Sequence, residues 1–199
     1  MNAPQLTSAL QGRFSPLRFD PSHVLSGSDV ETLLEAARWA PSAGNAQPWS
    51  FHLRRREEDG HDQLVEHLAG SSRRWAPAAG ALVVNMARRE VDDTGMLYSE
   101  FADYDLGQAV AHMTVQAHAM GLSCRQFRAF DLEGLHNRLG VRPGWRILTM
   151  TAIGVPLRSD TTLPARERRS IADLRTAGVA ARPFIPGGGT PAADPPARC

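Results

Sequence analysis

The strongest constraint on this chain is a polar turn held between two prolines. Pro41 and Pro48 enclose Ser42-Ala43-Gly44-Asn45-Ala46-Gln47. Upstream, Val30, Leu33, Leu34 and Ala37 recur at helical spacing, and Ser28 followed three residues later by Glu31 reads as a capping box. The spacing therefore predicts a helix that stops at Pro41, because proline disfavours helix in the residue before it and has no N–H to donate. Downstream, Trp49, Phe51 and Leu53 alternate with Ser50, His52 and Arg54, the period-two pattern of a half-buried strand. Between them the turn presents hydroxyl, amide and backbone N–H groups to a ligand. In local physical terms it is equally an ordinary helix-to-strand connection.

The remaining pattern alternates strands and helices. Residues 54–62 form a charged loop and Gln63 to Ala69 a short helix, while the apolar, β-branched run Gly80 to Ala87 predicts a central strand. Glu90 to Asp103 is polar and turn-rich, a mobile surface segment that could form part of a lid. The run Leu106 to Gly121 predicts the main helix, with Ala109, Val110, Met113, Ala117 and Met120 on one face, Asp105 as its cap and Gly121 closing it. His112 and His118 fall on different faces of that helix, which argues against a shared metal, and read as packing or surface residues. Arg125 to Asp131 reads as a loop with a buried aromatic pair, Leu135 to Leu139 as a short helix, and Trp145 to Val155 as a second central strand after the turn Arg142-Pro143-Gly144. From Gly178 the chain is rich in Ala, Pro and Gly, which predicts one domain over 1–178 and a flexible tail over 179–199.

Composition narrows the chemistry. A chain of 199 residues fits a single domain that buries about 70% of its unfolded surface. A net charge of +1 gives no broad electrostatic reason to expect nucleic acid or an anionic membrane as partner. All 22 basic residues are Arg, so neither an internal aldimine with pyridoxal phosphate nor a Lys-dependent phosphate loop is available. Cys124 and Cys199 give neither metal-ligand spacing nor a disulfide framework, which points to a reducing compartment. No signal peptide and no apolar run of about 20 residues is evident, so a cytoplasmic protein with no metal and no membrane span is expected.

Two arginine-bearing segments are candidates for an anion site. In Gly12 to Pro21, Arg13 and Ser15 lie two residues apart in a proline-bounded extended stretch and can face the same way. Arg166, Arg168 and Arg169 cluster ahead of a terminal helix. Each segment alone is also what a solvated surface looks like.

The run Ala40 to Trp49 resembles the APSxxNxQPW signature of the nitroreductase family of FMN-dependent oxidoreductases. The resemblance extends over about residues 10 to 175 and implies an α+β, nitroreductase-like fold, a central mostly antiparallel sheet flanked by helices, in an intertwined homodimer. It implies that Arg13 and Ser15, with Phe14 between them, match a basic opening segment that binds the FMN phosphate and ribityl chain, and that Phe19 matches its trailing aromatic. The second arginine of that segment falls on Leu17, a loss of one charged hydrogen bond worth roughly 1.5 to 3 kcal/mol, or about tenfold to hundredfold in affinity. Ser42, Asn45 and Gln47 match the polar turn. Gln126, Phe127 and Arg128 fall where a loop backbone contacts the flavin ring near its reactive nitrogen. Arg168 matches a late arginine that clamps the phosphate, Arg166 a basic residue sometimes found before it, and Ser170 stands where proline is usual. Tyr104 to Ala109 and Gln116 to Leu122 resemble the ends of the family's dimer-forming helix.

The implied activity is ping-pong hydride transfer from NAD(P)H through FMN to an organic acceptor such as a nitroaromatic or quinone, with no side chain assigned as general acid or base. Two alternatives stay open. One is a flavin-dependent dehydrogenase of a biosynthetic intermediate that uses oxygen; the other is a protein that binds flavin without turnover.

Overall fold

Strand β2 (Ala81–Arg88) is buried over Ala81 to Asn85, with Leu82 and Val84 facing one way and Ala81 and Val83 the other. A strand without a wet face must be covered by helices on both sides, and the computed structural model shows that arrangement. It describes residues 5–91, 94–157 and 166–175. The sheet has the order β1-β2-β4-β3, formed by β1 (Trp49–Arg55), β2, β3 (Ser123–Phe127) and β4 (Trp145–Gly154), with every neighbouring pair antiparallel. This matches the expected mostly antiparallel sheet.

One face carries α3 (His61–Glu66), α4 (Gly70–Arg73) and α6 (Leu132–Leu139), around a core of Phe19, Leu64, Leu82, Val84, Leu135, Ile147 and Met150. The other face carries α2 (Gly27–Arg38) and α5 (Ala102–Ala119), whose Leu33, Ala37, Ala109, Met113 and Ala117 pack on Ala81, Val83, Cys124 and Ile153. A short helix, α1 (Ser8–Gly12), precedes the N-terminal arm. The arm is tied to the end of β4 by Asp20 N donating to Val155 O at 2.8 Å and by a bridge between Phe19 and Pro156.

Four local expectations are corrected. The α2 capping box is Ser26 with Asp29, not Ser28 with Glu31: Ser26 Oγ accepts from Asp29 N, and Asp29 accepts from Ser26 N at 2.8 Å. The helix ends at Arg38, ahead of Pro41. Asp105 is not the cap of α5; Phe101 occupies that position and Asp105 lies inside the helix, buried. Residues Arg125 to Phe127 belong to β3, paired to β4, so only the end of the expected 125–131 loop is a loop.

No helix among the described residues is long and apolar enough to cross a membrane. Residues 166–175 belong to a second compact unit, Thr162–Cys199, described by itself. There, α7 (Ile171–Arg175) starts at Ser170, whose Oγ accepts from Asp173 N at 3.0 Å while Asp173 accepts from Ser170 N at 3.2 Å. The tail expected over 179–199 lies outside the described residues.

Candidate functional site

The proline-bounded turn adopts an unusual backbone. Residues Ala43–Asn45 form one turn of 3-10 helix, and Gly44, Asn45 and Gln47 have φ of 57°, 56° and 47°. The left-handed region is routine for Gly but costs other residues about 1–2 kcal/mol each. Local hydrogen bonds hold the strained form: Gln47 N donates to Ser42 Oγ at 3.0 Å, and Gln47 Nε2 to Asn45 Oδ1 at 3.2 Å. Tertiary contacts add to them. Ala43 N donates to Asp105 Oδ2 at 3.1 Å, and Tyr98 Oη to Ala46 O at 3.2 Å. Tyr98 in turn lies beneath the Arg88 guanidinium, 4.4 Å from the ring centroid. The described part of the 90–103 segment is thus fastened to the turn, with Arg89 paired to Asp103 across its base.

The N-terminal arm is positioned by β3. Arg125 Nη1 donates to the carbonyls of Pro16 and Leu17, each at 3.3 Å, while its guanidinium lies 4.0 Å over the Trp75 ring. Trp75 also meets Phe127 edge-on at 5.1 Å, and Phe127 meets Phe130 at 6.4 Å. The Phe127 side chain is therefore a packing group. Arg128 is exposed, with its guanidinium 4.7 Å over Phe130. Ser15 is exposed, Phe14 half-buried, and the Leu17 side chain 60% exposed.

Between the arm, α5 and the sheet lies a pocket of about 470 Å³. Its apolar wall comes from Leu10, Leu106, Val110, Val115 and Leu148, and its polar groups include Arg13, Thr114, Gln126 and Thr149. Gln126 Nε2 donates to Thr114 Oγ1 at 2.7 Å, and Thr114 donates to Val110 O at 2.7 Å. Asp103 also lines the pocket, but its carboxylate is engaged by Arg89. Behind this wall, burial pushes the Cys124 thiol up to about 12, which keeps it protonated and unreactive.

Of the residues expected at the site, the structure brings Arg13 and Gln126 into one pocket. Ser42, Asn45 and Gln47 form a second cluster against the first turns of α5, outside that lining. Phe14, Ser15, Phe127 and Arg128 are close in sequence to the two pocket residues but do not line it. Arg166 and Arg168 lie in the second unit, where Arg168 Nη1 donates to Glu167 O at 2.7 Å. Tyr98, Arg125, Asn85 and Thr149 carry no site assignment from sequence, and Asp105 only that of a helix cap. A signal existed only for Asn85, as a polar interruption in an apolar strand.

The Nitroreductase family model matches residues 10–88. An oxygen-insensitive NAD(P)H nitroreductase of Salmonella typhimurium is 33% identical over 88 residues, 43% of this chain and 40% of the relative. The match thus spans about two fifths of the length of the curated relatives. Among solved structures, an oxidoreductase containing FMN superposes with a TM-score of 0.79 at 25% identity, over 89% of this chain and 94% of that one. A nitroreductase family protein of Clostridium difficile 630 shares the fold, with a TM-score of 0.69 at 16% identity over 89% of this chain and 100% of that one. The turn, the two-faced sheet and the order of elements agree with these matches, and residues 10–88 of the chain are similar to the nitroreductase family.

Proposed function

We propose that this protein is an FMN-dependent oxidoreductase that takes hydride from NAD(P)H and passes it to an organic acceptor such as a nitroaromatic or quinone. The observation that carries the reading is the pocket beside α5, where Arg13 and Gln126, far apart in sequence, meet. Its lining suits FMN. A cation for the phosphate, an apolar wall for the ring system and side-chain donors and acceptors for the polar ring edge are all present. Its size lies within the range of about 300–1,000 Å³ common for small-molecule sites.

Flavin supplies the hydride chemistry when bound. The chain supplies binding and electrostatics. Arg13 holds the anionic end, Leu106, Val110 and Leu148 exclude water from the ring, and Gln126 orients its polar edge. No proton-transfer step is assigned to a side chain. The turn at Ser42, Asn45 and Gln47 lies outside this pocket, which favours a homodimer in which the turn of one protomer completes the pocket of the other. The exposed stripe on α5, with Tyr104 69% exposed and Gly107 and Ala111 above it, supports that arrangement. In the full reading, residues 1–178 form the flavin-binding domain and the protein works in the cytoplasm.

The visible spectrum of freshly purified protein, followed by NADPH or NADH under anaerobic conditions, tests the proposal. Flavin bands that bleach with either nucleotide are expected. A colourless protein that fails to take up added FMN, or a bound flavin that stays oxidised with both nucleotides, would overturn it.

A further inference from the structure

Strand β4 carries one residue more than the stretch of β2 it faces. Asn85 pairs with Thr149 and Met86 with Ile147, so Leu148 is an inserted bulge. In a regular strand Leu148 and Thr149 would point to opposite faces; here both line the α5 pocket, while Ile147 and Met150 on either side are buried in the other core. The bulge re-aims a side chain into the pocket.

Opposite Thr149 stands Asn85, 0% exposed in the middle of an otherwise apolar strand. Its Nδ2 donates to Thr149 Oγ1 at 3.0 Å and to Thr151 Oγ1 at 2.8 Å, and its Oδ1 is buried without a partner. Leaving an amide oxygen unsatisfied in a core is costly, so a valine or leucine would serve the fold better. What the amide achieves is orientation. Thr149 Oγ1 accepts from Asn85 and has no acceptor for its own proton among the described residues, so its O–H is the donor left at the pocket wall. Gln126 faces Thr151 in the neighbouring pair, which makes it a diagonal neighbour of Thr149 on the same face. With Nε2 given to Thr114, Gln126 retains Oε1 as an acceptor. The wall therefore sets the Thr149 O–H donor beside the Gln126 Oε1 acceptor, the complement of a carbonyl with a nearby N–H.

We propose that Thr149, fixed by the β4 bulge and the buried Asn85, donates a hydrogen bond to a ring carbonyl of the flavin, with Asn85 as its positioning residue. The inference rests on the FMN reading above. The test is equilibrium titration of apoprotein with FMN, following fluorescence quenching and the absorption bands of the bound flavin. Thr149→Val keeps the shape and removes the donor; Thr149→Ser restores it. Thr149→Val is expected to weaken FMN binding by about tenfold and to displace the visible bands of the bound flavin, with Thr149→Ser within about twofold of wild type on both readouts. Asn85→Leu should reproduce the Thr149→Val shift. Equal affinity and an unchanged spectrum in Thr149→Val would overturn this inference while leaving the FMN reading intact. Wild type that binds no FMN would overturn both. Should Asn85→Leu fail to fold by circular dichroism, the Thr149 pair still decides the outcome.

Discussion

Arg13 is the cation among the pocket's lining residues, and the carboxylate beside it, Asp103, is already paired with Arg89. In the FMN reading Arg13 meets the phosphate, and Arg13→Ala should weaken FMN binding about tenfold to hundredfold while changing riboflavin binding little. Parallel titration with the two flavins checks this, because equal losses for both would mean that Arg13 does not meet the phosphate. Asp105 illustrates a residue whose role is invisible in sequence. An aspartate at the start of a helical run reads as a cap, yet it accepts the Ala43 N–H across 62 residues and fastens a strained turn to α5. Asp105→Ala leaves that donor unsatisfied and should cost about 1–3 kcal/mol, read as a lower melting temperature. Asn85 stands out in sequence only as a polar interruption and Thr149 not at all, since a polar residue in a strand does not announce which partner or cavity it faces.

The helices were legible to within a few residues because their apolar spacing is strong; their caps were less so. Ser26 and Ser28 both have an acidic residue three positions on, and geometry chose the first pair. Removing the Ser26 hydroxyl by Ser26→Ala should destabilise α2 by about 1 kcal/mol and lower the melting temperature by about 2–4 °C, whereas Ser28→Ala should change it little. Thermal denaturation of the two variants separates these outcomes. Strand β3 was missed for a physical reason as well. It is a five-residue edge strand carrying Arg125 and Gln126, too short and too polar for a period-two signal, and only pairing with β4 makes it a strand.

Across the whole molecule, pH dependence follows from His61, buried at the start of α3 with Nε2 unpartnered. Burial lowers its pKa below the ordinary 6.5, with the charge of Arg56 adding to the effect and Asp62 opposing it. Above about pH 6.5 folded and unfolded chains both carry the neutral ring and His61 contributes no pH dependence. Below that value the unfolded chain takes up the proton first, so stability falls. Melting temperatures measured from about pH 7 to about pH 5.5 should decline in wild type and decline less in His61→Leu. His52, whose pKa is also lowered by burial, would account for part of any residual slope. At the level of assembly, sedimentation should give twice the 21.7 kDa chain mass, and Ala111→Arg on the exposed face of α5 should shift the protein toward monomer with loss of bound flavin.

Sequence by itself determined the helix, turn and strand around Pro41 and Pro48, the buried β2 and β4, and the main helix. These rest on period, proline geometry and apolar content, which act over a few neighbouring residues. It also marked Arg13, Gln126 and the Ser42 to Gln47 turn through the family resemblance. Only the tertiary structure decided which of those residues meet. The pocket joins α1, α5, β3 and β4, the bulge at Leu148 depends on β2 lying opposite, and the left-handed turn depends on Asp105 and Tyr98 reaching it from more than 50 residues away. Contacts of that range carry no local signature, because a side chain's chemistry fixes what it can bond and the fold alone fixes what comes within reach.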